Sequence, residues 1–196
     1  KQNSKFSQDS AIQRVRGYVS DACRQKAKEM PGIYQLNVPT GGGKTISVLR
    51  YSLAHAKQYE KSRIIFIIPL LSVLEQNSGV IKDYMLDKHS VAEHHSNVVI
   101  MGNNEDELKR YELIANNWGA PVIVSTLVQF LNILFLDKTT AIRRMQSLCN
   151  SVIVIDEVQS LPWKLTNVFI EALNFLAEFC NCTIVLSSAT QRALIN

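Results

Sequence analysis

Residues 38–45 combine three successive glycines with a lysine and a threonine, in the order Val-Pro-Thr-Gly-Gly-Gly-Lys-Thr. Because glycine has no side chain, backbone N–H groups in such a segment can curl around phosphate oxygens. The lysine can then reach the terminal phosphates of a nucleotide, and the threonine can offer its hydroxyl to Mg2+ at the start of a helix. The segment predicts an ATP-binding loop formed by Thr40, Gly41, Gly42, Gly43, Lys44 and Thr45.

This loop departs at one position from the phosphate-binding pattern G-x-x-x-x-G-K-[ST], because Val38 stands where the pattern begins with glycine. The last three residues of the pattern are intact. A glycine-rich turn that merely joins a strand to a helix is the alternative interpretation. It does not explain a lysine and a threonine directly after three glycines, so nucleotide binding is favoured.

A second candidate feature is the acidic pair Asp156-Glu157, which directly follows the apolar run at residues 152–155. Asp156 would hold Mg2+ through water, and Glu157 would polarise the water that attacks the terminal phosphate. An acidic pair after a strand is often only a solvated helix cap. The glycine-rich loop upstream favours the catalytic interpretation.

Short runs rich in isoleucine and valine alternate along the chain with longer amphipathic stretches. The runs predict strands at residues 33–38, 63–68, 121–125, 151–155 and 183–187. The amphipathic stretches predict helices at residues 10–29, 44–59, 70–86, 105–116, 127–136, 139–148 and 163–180. Strands this apolar, alternating with helices, predict an α/β fold with a mostly parallel, doubly wound sheet and helices on both faces.

Ligands of such sheets bind at the carboxyl ends of the strands, where the loop and the acidic pair both fall. Residues 87–104 are polar and rich in histidine, and we expect them to be the least regular connection. Residues 1–30 form a helical segment before the loop, and residues 31–196 form the nucleotide-binding domain.

The composition fits one globular domain of 196 residues, with 46% hydrophobic residues and a net charge of +4. This charge is compatible with a phosphate-bearing partner but is common in other proteins. No apolar run approaches the roughly 20 residues that span a bilayer, and residues 1–10 lack the apolar centre of a secretory signal. We expect a cytoplasmic protein with no membrane contact, whose four cysteines are reduced thiols.

Two segments resemble motifs of the superfamily-two helicases, whose motor domains are RecA-like P-loop NTPases. Residues 156–159, Asp-Glu-Val-Gln, resemble the D-E-x-[DHQ] motif, and residues 187–190, Ser-Ser-Ala-Thr, resemble the S-A-T motif. The resemblance implies that Gln159 belongs to the catalytic set. It also implies that the motor is coupled to ATP through Ser188, Ala189 and Thr190.

Residues 69–77 and 125–130 resemble the motifs with which such helicases touch the backbone of a nucleic-acid strand. Hydroxyls and helix N-termini at strand ends are suitable donors to phosphates and carry no base specificity. Ordinary helix capping is the alternative. The resemblance implies nucleic-acid contacts by Pro69, Gln76, Ser125, Thr126 and Gln129.

Related helicases also place a glutamine before the phosphate loop, where its side-chain amide reads adenine. Gln25 and Gln13 of the first predicted helix are the candidates, and we assign the role to Gln25. The spacing does not decide between them, and a polar helix face is the ordinary interpretation of either residue.

Four segments make the resemblance more specific. Residues 31–34, 38–45, 93–97 and 155–162 together resemble the CRISPR-associated helicase-nuclease of type I systems. It implies ATP-driven movement along single-stranded DNA after recruitment by a guide-RNA surveillance complex. The family's second RecA-like domain and HD nuclease do not fit within 196 residues, so we expect a weakly active portion of a longer protein. The segment at residues 93–97 has no assigned chemistry, and a metal site at His94 and His95 is disfavoured.

Two other hypotheses remain open on the sequence. The motor motifs alone would serve any superfamily-two helicase acting on DNA or RNA. A non-catalytic module that uses ATP as an assembly switch would also need the loop, but it has little need of Glu157. A small-molecule kinase is disfavoured because no arginine-rich lid is apparent.

Overall fold

The computed structural model of the protein describes residues 2–39, 41–95, 117–161 and 163–188, with side chains described from residue 11 onward. The helix predicted at residues 105–116 lies outside these ranges. Outside them as well lie six residues of the predicted motifs, namely Thr40, Ser96, Asn97, Pro162, Ala189 and Thr190.

Six strands of the described residues form one sheet in the order β1-β6-β5-β2-β4-β3. Every pair of neighbours in it is parallel. The strands are β1 (Ile33–Asn37), β2 (Arg63–Ile68), β3 (Val91–His94), β4 (Val122–Thr126), β5 (Ser151–Ile155) and β6 (Thr183–Ser188). The sheet confirms the predicted α/β class, and its strands are more uniformly parallel than the sequence predicted.

Helices cover both faces of this sheet, as expected for parallel strands whose apolar runs are continuous. They are α1 (Gln2–Lys26), α2 (Lys44–Gln58), α3 (Leu71–Tyr84), α4 (Leu127–Phe135), α5 (Thr139–Leu148) and α6 (Thr166–Glu178). One apolar core holds Ile65 and Ile67 of β2 together with buried residues of α4 and α6. The other core holds Ile64 and Phe66 of the same strand with buried residues of α1, α2 and α3. The alternation of β2 side chains between two cores confirms the doubly wound arrangement.

The clearest error of the sequence analysis is β3, which lies within the stretch predicted to be irregular. It is a four-residue edge strand with only two apolar residues, Val91 and Ala92, so it lacks the isoleucine and valine run of a central strand. The first helix begins eight residues earlier than predicted, and the last predicted helix opens with a 3-10 turn at Trp163–Leu165. The remaining described elements agree to within a few residues.

Left-handed residues mark the amino edge of the sheet, at Glu60, Asn150 and Asn181. The Asn150 side-chain amide donates to the Glu60 carbonyl at 3.0 Å, and the Asn181 amide donates to Asn150 Oδ1 at 2.9 Å. Asparagine tolerates this conformation better than most residues. These bonds hold the entries to β2, β5 and β6 together, at the edge opposite to the candidate site.

Three further expectations concern chemistry and membranes. All four cysteines are free thiols; Cys23 and Cys182 are buried, and Cys149 and Cys180 are half-buried. No set of three or more potential metal-ligating side chains occurs within the described ranges. Of the helices that the structure describes, none is long and apolar enough to cross a membrane.

Candidate nucleotide-binding site

The sheet order brings the glycine-rich loop and the acidic pair together at the carboxyl edge. β6 lies between β1, which leads into the loop, and β5, which ends at the acidic pair. The Asp156 amide donates to the Ile67 carbonyl at 2.8 Å, which carries the strand pairing one residue beyond β5. Residues about 110 positions apart in the sequence therefore meet at one point.

The loop has backbone geometry that side chains would obstruct. Gly41 and Gly43 have φ angles of 81° and 78°, in the left-handed region that favours glycine. At Gly42, a Cβ atom would lie 2.6 Å from Val38 Cγ1 and 3.0 Å from the Pro39 carbonyl oxygen. The described part of the loop therefore fits an open cradle of backbone amides, which is what phosphate binding requires.

Lys44 opens α2 and reaches across the edge to both acidic residues. Its ammonium lies 2.8 Å from Asp156 Oδ1 and is also ion-paired with Glu157 Oε1. The Lys44 and Asp156 side chains are only 15% and 13% exposed. Burial acts to lower the pKa of Lys44, but hydrogen bonds from its ammonium to Asp156 and Glu157 outweigh burial and raise the pKa. The lysine is therefore a fixed positive charge at the mouth of the loop.

The acidic pair sits on a strained turn. Glu157 has a φ angle of 48°, and its backbone N–H donates to Asp156 Oδ1 at 3.0 Å. A left-handed conformation is costly for a glutamate and is typical of functional turns. The turn directs the two carboxylates to the same lysine instead of to opposite faces of the strand.

Gln159 continues this arrangement toward β6. Its side-chain N–H donates to Glu157 Oε2, and its carbonyl oxygen accepts a hydrogen bond from the Ser188 hydroxyl at 2.9 Å. The Ser188 carbonyl in turn accepts from the Val38 N–H at 3.2 Å. Lys44, Glu157, Gln159 and Ser188 therefore form a continuous chain of contacts between the loop and the end of β6. Ala189 and Thr190 lie outside the described residues.

Two residues of the predicted motifs, Asn77 and Ser187, take positions at the site that the sequence did not predict. Asn77 of α3 accepts a hydrogen bond from the Thr45 hydroxyl at 3.3 Å. The Ser187 hydroxyl is buried and has no hydrogen-bond partner among the described residues, although it lines a small cavity with Lys44, Thr45 and Asp156. Such a group costs about 1–3 kcal/mol when it is left unsatisfied. An orphaned hydroxyl beside these residues fits a site that is completed by a ligand, its metal ion or water.

The structure does not bring Gln25 to the loop. Gln25 is exposed near the end of α1, whereas Arg16 of the same helix donates from Nε to the Gly41 carbonyl at 2.9 Å. Gln25 is nine residues from Arg16, or about 13 Å along a helix that rises 1.5 Å per residue. Gln13 is one turn from Arg16 on the same face of α1. The geometry favours Gln13, the other candidate, over Gln25.

The predicted nucleic-acid contacts differ in how accessible they are. Ser125 is fully buried and donates to the His94 carbonyl at 2.7 Å, so its side chain is not placed to contact a strand. This corrects the expectation for Ser125. Thr126 caps α4 by accepting from the Gln129 N–H at 3.3 Å, and both residues are half-buried. Pro69 is half-buried and Gln76 is exposed, at the same edge of the sheet.

The described part of the histidine-rich segment is a packed polar cluster. Glu93 accepts hydrogen bonds from Ser78 at 2.6 Å and from Lys82. Burial acts to raise the pKa of the Glu93 carboxyl, but these two bonds outweigh it and lower the pKa. Burial, with the nearby charges of Arg144 and His95, lowers the pKa of His94 to about 4. These contacts hold Glu93 in place beside α3, and His94 lies in a buried environment.

The sequence model of the DEAD/DEAH box helicases matches residues 8–195. The chain belongs to the DEAD/DEAH box helicase family. Members of this family are ATP-dependent helicases that bind ATP with Mg2+. No curated protein sequence matches the chain significantly.

Several solved helicase structures share this fold. T. fusca Cas3-ADP is similar with a TM-score of 0.69 and 22% identity, over 84% of this chain and 19% of that one. The Pyrococcus furiosus Hef helicase domain has a TM-score of 0.60 and 20% identity, over 89% of this chain and 32% of that one. The UvsW helicase from bacteriophage T4 has a TM-score of 0.57 and 17% identity, over 88% of this chain and 52% of that one. The chain therefore spans between about a fifth and half of these proteins.

Proposed function

We propose that residues 31–196 form the first RecA-like motor domain of a helicase that couples ATP hydrolysis to movement along single-stranded DNA. Residues 1–30 would supply the adenine-reading segment. The observation that carries the proposal is the chain of contacts from Lys44 through Glu157 and Gln159 to Ser188. It joins the ATP-binding loop to the strand that leads into the motor-coupling motif. A module that only bound ATP would have no need of such a connection.

In this proposal the loop and Lys44 bind the phosphates of ATP. The Lys44 ammonium exchanges its carboxylate partners for phosphate oxygens, since both are anionic and lie at the same edge. Thr45 and Asp156 would hold Mg2+, which would supply positive charge to offset the charge that develops during phosphoryl transfer. Their position beside the orphaned Ser187 hydroxyl supports this assignment.

Glu157 would act as the general base toward the attacking water. In this proposal Lys44 exchanges Glu157 Oε1 for phosphate oxygens, so Oε1 can accept a proton from that water. Gln159 stays hydrogen-bonded to the same carboxylate and to Ser188, so a movement of Glu157 is transmitted to the end of β6. Gln159 would therefore be a positioning residue: it connects Glu157, the proposed general base, to the motor-coupling motif of Ser188, Ala189 and Thr190.

The second motor domain would complete the site from outside this chain. Phosphoryl-transfer enzymes commonly use an arginine from another domain to stabilise charge in the transition state. Among the described residues, the cations that reach the loop are Lys44 and Arg16, and the latter is committed to the Gly41 carbonyl. We therefore propose that this half alone binds ATP better than it hydrolyses it.

We further propose that the parent protein acts in type I CRISPR interference, where a guide-RNA surveillance complex would recruit it to opened DNA. The motifs at residues 31–34, 38–45, 93–97 and 155–162 support this role, together with a Cas3 structure among those with the same fold. A general superfamily-two helicase is the second candidate. Comparable fold similarity to Hef and UvsW favours it.

The decisive experiment measures ATP hydrolysis by the polypeptide that joins this chain to a second motor domain. We expect single-stranded DNA to stimulate turnover and Glu157→Gln to reduce it by about 100-fold or more, as is typical for loss of a general base. Glu178→Gln is the matched control, since Glu178 is an exposed residue at the end of α6. Unchanged turnover in Glu157→Gln would refute the catalytic assignment.

The same joined polypeptide distinguishes the role in CRISPR interference from that of a general helicase. Recruitment to target DNA by a guide-RNA surveillance complex, measured by co-migration on a native gel, is expected for the CRISPR role. Stimulation of ATP hydrolysis by RNA to the same extent as by DNA, without such recruitment, would contradict that role and support a general helicase.

A further inference from the structure

A polar pocket lies between α4 and α5, away from the nucleotide loop. Its volume is about 150 Å³. Polar side chains line it from both helices and from the connection between them. They are Gln129 and Asn132 of α4, Lys138, and Thr140 and Arg144 of α5. In each helix the lining residues are three or four positions apart, so they share one face.

The chemistry of this lining selects an anion. Each of the five polar side chains can donate hydrogen bonds, and Lys138 and Arg144 carry positive charge. The described residues that line the pocket include no aspartate or glutamate, so this lining favours an anion over a cation. A guanidinium presents its N–H groups in a planar fork that matches two oxygens of a phosphate.

Arg144 holds its charge in a partly desolvated position. Its side chain is half-buried, and burial lowers the pKa of its guanidinium. The same charge contributes to the lowered pKa of His94, which places Arg144 near the carboxyl end of β3. A charge shielded from water acts more strongly on a bound anion than an exposed one does. The outer part of the pocket is more open, since Lys138 and Thr140 are exposed.

The pocket also adjoins the edge of the sheet where a strand is expected to pass. Gln129 lies in the first turn of α4, directly after the cap formed by Thr126. Asn132 follows one turn later and lines the same pocket. A strand that met the start of α4 could therefore place its next phosphate among these donors.

We propose that the pocket between α4 and α5 binds a phosphate group. We assign that phosphate group to the backbone of the translocated strand, and this assignment rests on the proposed helicase function. The pocket would add an anchor beyond the start of α4, and it reads no base because its ligand is common to every nucleotide.

The first test measures binding of fluorescent oligothymidylate to the whole chain over a series of salt concentrations. Each phosphate contact on a single strand contributes about −0.7 to the slope of log affinity against log salt concentration. We expect Arg144→Met to weaken binding several-fold and to reduce the slope by about that amount. Arg143→Met is the matched control, because Arg143 is the neighbouring residue of α5, is exposed and does not line the pocket.

A second variant distinguishes a loss of phosphate binding from a loss of folding in Arg144→Met. Lys138→Met changes an exposed residue of the pocket, so it should leave the fold intact while weakening binding in the same direction. Equal effects of Arg143→Met and Arg144→Met, with Lys138→Met unchanged, would overturn the proposal.

A third measurement distinguishes two ligands that the pocket could bind: free inorganic phosphate and a phosphate of the nucleic-acid backbone. Titration with inorganic phosphate should shift the Arg144 side-chain N–H signal in a ¹H–¹⁵N spectrum. Oligothymidylate added beforehand should shift the same signal and weaken the response to inorganic phosphate, because both ligands compete for the pocket. A shift with phosphate, without any loss of oligothymidylate binding in Arg144→Met, would support an anion pocket but overturn its assignment to the strand. If the wild-type chain binds no oligothymidylate, the assignment of the pocket to the strand fails. The phosphate titration still tests the pocket, and ATP hydrolysis by the joined polypeptide still tests the helicase proposal.

Discussion

The ammonium of Lys44 is ion-paired with the carboxylate of Glu157, 113 residues further along the chain. In the proposed mechanism these two residues have different partners: Lys44 binds the phosphates, and Glu157 activates water. The ion pair therefore competes with ATP for the lysine. It also fixes both side chains at the position where the reaction would take place.

The first prediction follows from that competition. Glu157→Gln removes one anion that holds Lys44, so ATP should bind several-fold more tightly even as hydrolysis is lost. Lys44→Met removes the cation and should weaken ATP binding by about tenfold or more, since a charge-assisted hydrogen bond contributes about 1.5–3 kcal/mol. Isothermal titration calorimetry with ATP and Mg2+ measures both effects.

The control for this pair is Lys57→Met, which removes an exposed lysine from the same helix. It should leave ATP affinity unchanged. Weaker ATP binding in Glu157→Gln would show that the carboxylate assists binding and does not compete for Lys44.

The second prediction concerns Gly42. An alanine there would place Cβ 2.6 Å from Val38 Cγ1 and 3.0 Å from the Pro39 carbonyl oxygen. Because Val38 is buried, the loop must shift instead, which moves its amides away from the phosphates. We expect Gly42→Ala to lose at least about tenfold in ATP affinity while the chain stays folded, as checked by circular dichroism.

Gly17→Ala is the matched control, since a Cβ at Gly17 meets no atom within 4 Å. Gly17 lies within α1, where alanine should stabilise the helix by about 0.5–1 kcal/mol. Equal ATP affinities for the two alanine variants would contradict the cradle described for Gly42.

How far the sequence predicts the structure depends on the range of the interactions involved. β2 and β5 were predictable because continuous apolar runs are a local signal of buried parallel strands. β3 was not, since an edge strand of four residues carries little apolar pattern.

The candidate site divides in the same way. The glycines, Lys44 and Asp156 follow from local motifs. The bond between Ser188 and Gln159, and that between Thr45 and Asn77, join residues 29 and 32 positions apart and depend on how the elements pack. The motif at residues 187–190 includes Ser187 but does not predict that its hydroxyl is buried without a hydrogen-bond partner among the described residues, because that depends on packing.

The third prediction decides which glutamine reads adenine. Gln13 shares a face of α1 with Arg16, which contacts the loop, whereas Gln25 lies more than two turns away. Gln13→Ala should weaken ATP binding about 3- to 10-fold, the value of one or two hydrogen bonds, and should leave GTP binding unchanged. Competition between each nucleotide and a fluorescent ATP analogue measures this selectivity. Gln25→Ala is the control, and a selective loss in that variant alone would restore the original assignment.

The last prediction concerns stability at acidic pH. His55 is fully buried, and its Nδ1–H donates to the Ala27 carbonyl while Nε2 accepts from the Thr183 hydroxyl. Burial is the main cause that lowers the pKa of His55 below 6.5, and burial likewise lowers the pKa of His94 to about 4. The unfolded chain therefore binds more protons than the folded chain once the pH falls below about 6.5.

The two neutral, buried histidines contribute fully to the free energy of unfolding above pH 6.5. That contribution is lost as the pH falls, until each histidine is protonated in the folded chain as well. For His94 the loss extends from pH 6.5 down to about 4. Urea unfolding at a series of pH values should show a falling free energy of unfolding over this window, with His94→Gln reducing the slope by at most about 1.4 kcal/mol per pH unit. His89→Gln, which removes an exposed imidazole, is the control. A slope that His94→Gln leaves unchanged would mean that other groups cause the acid sensitivity.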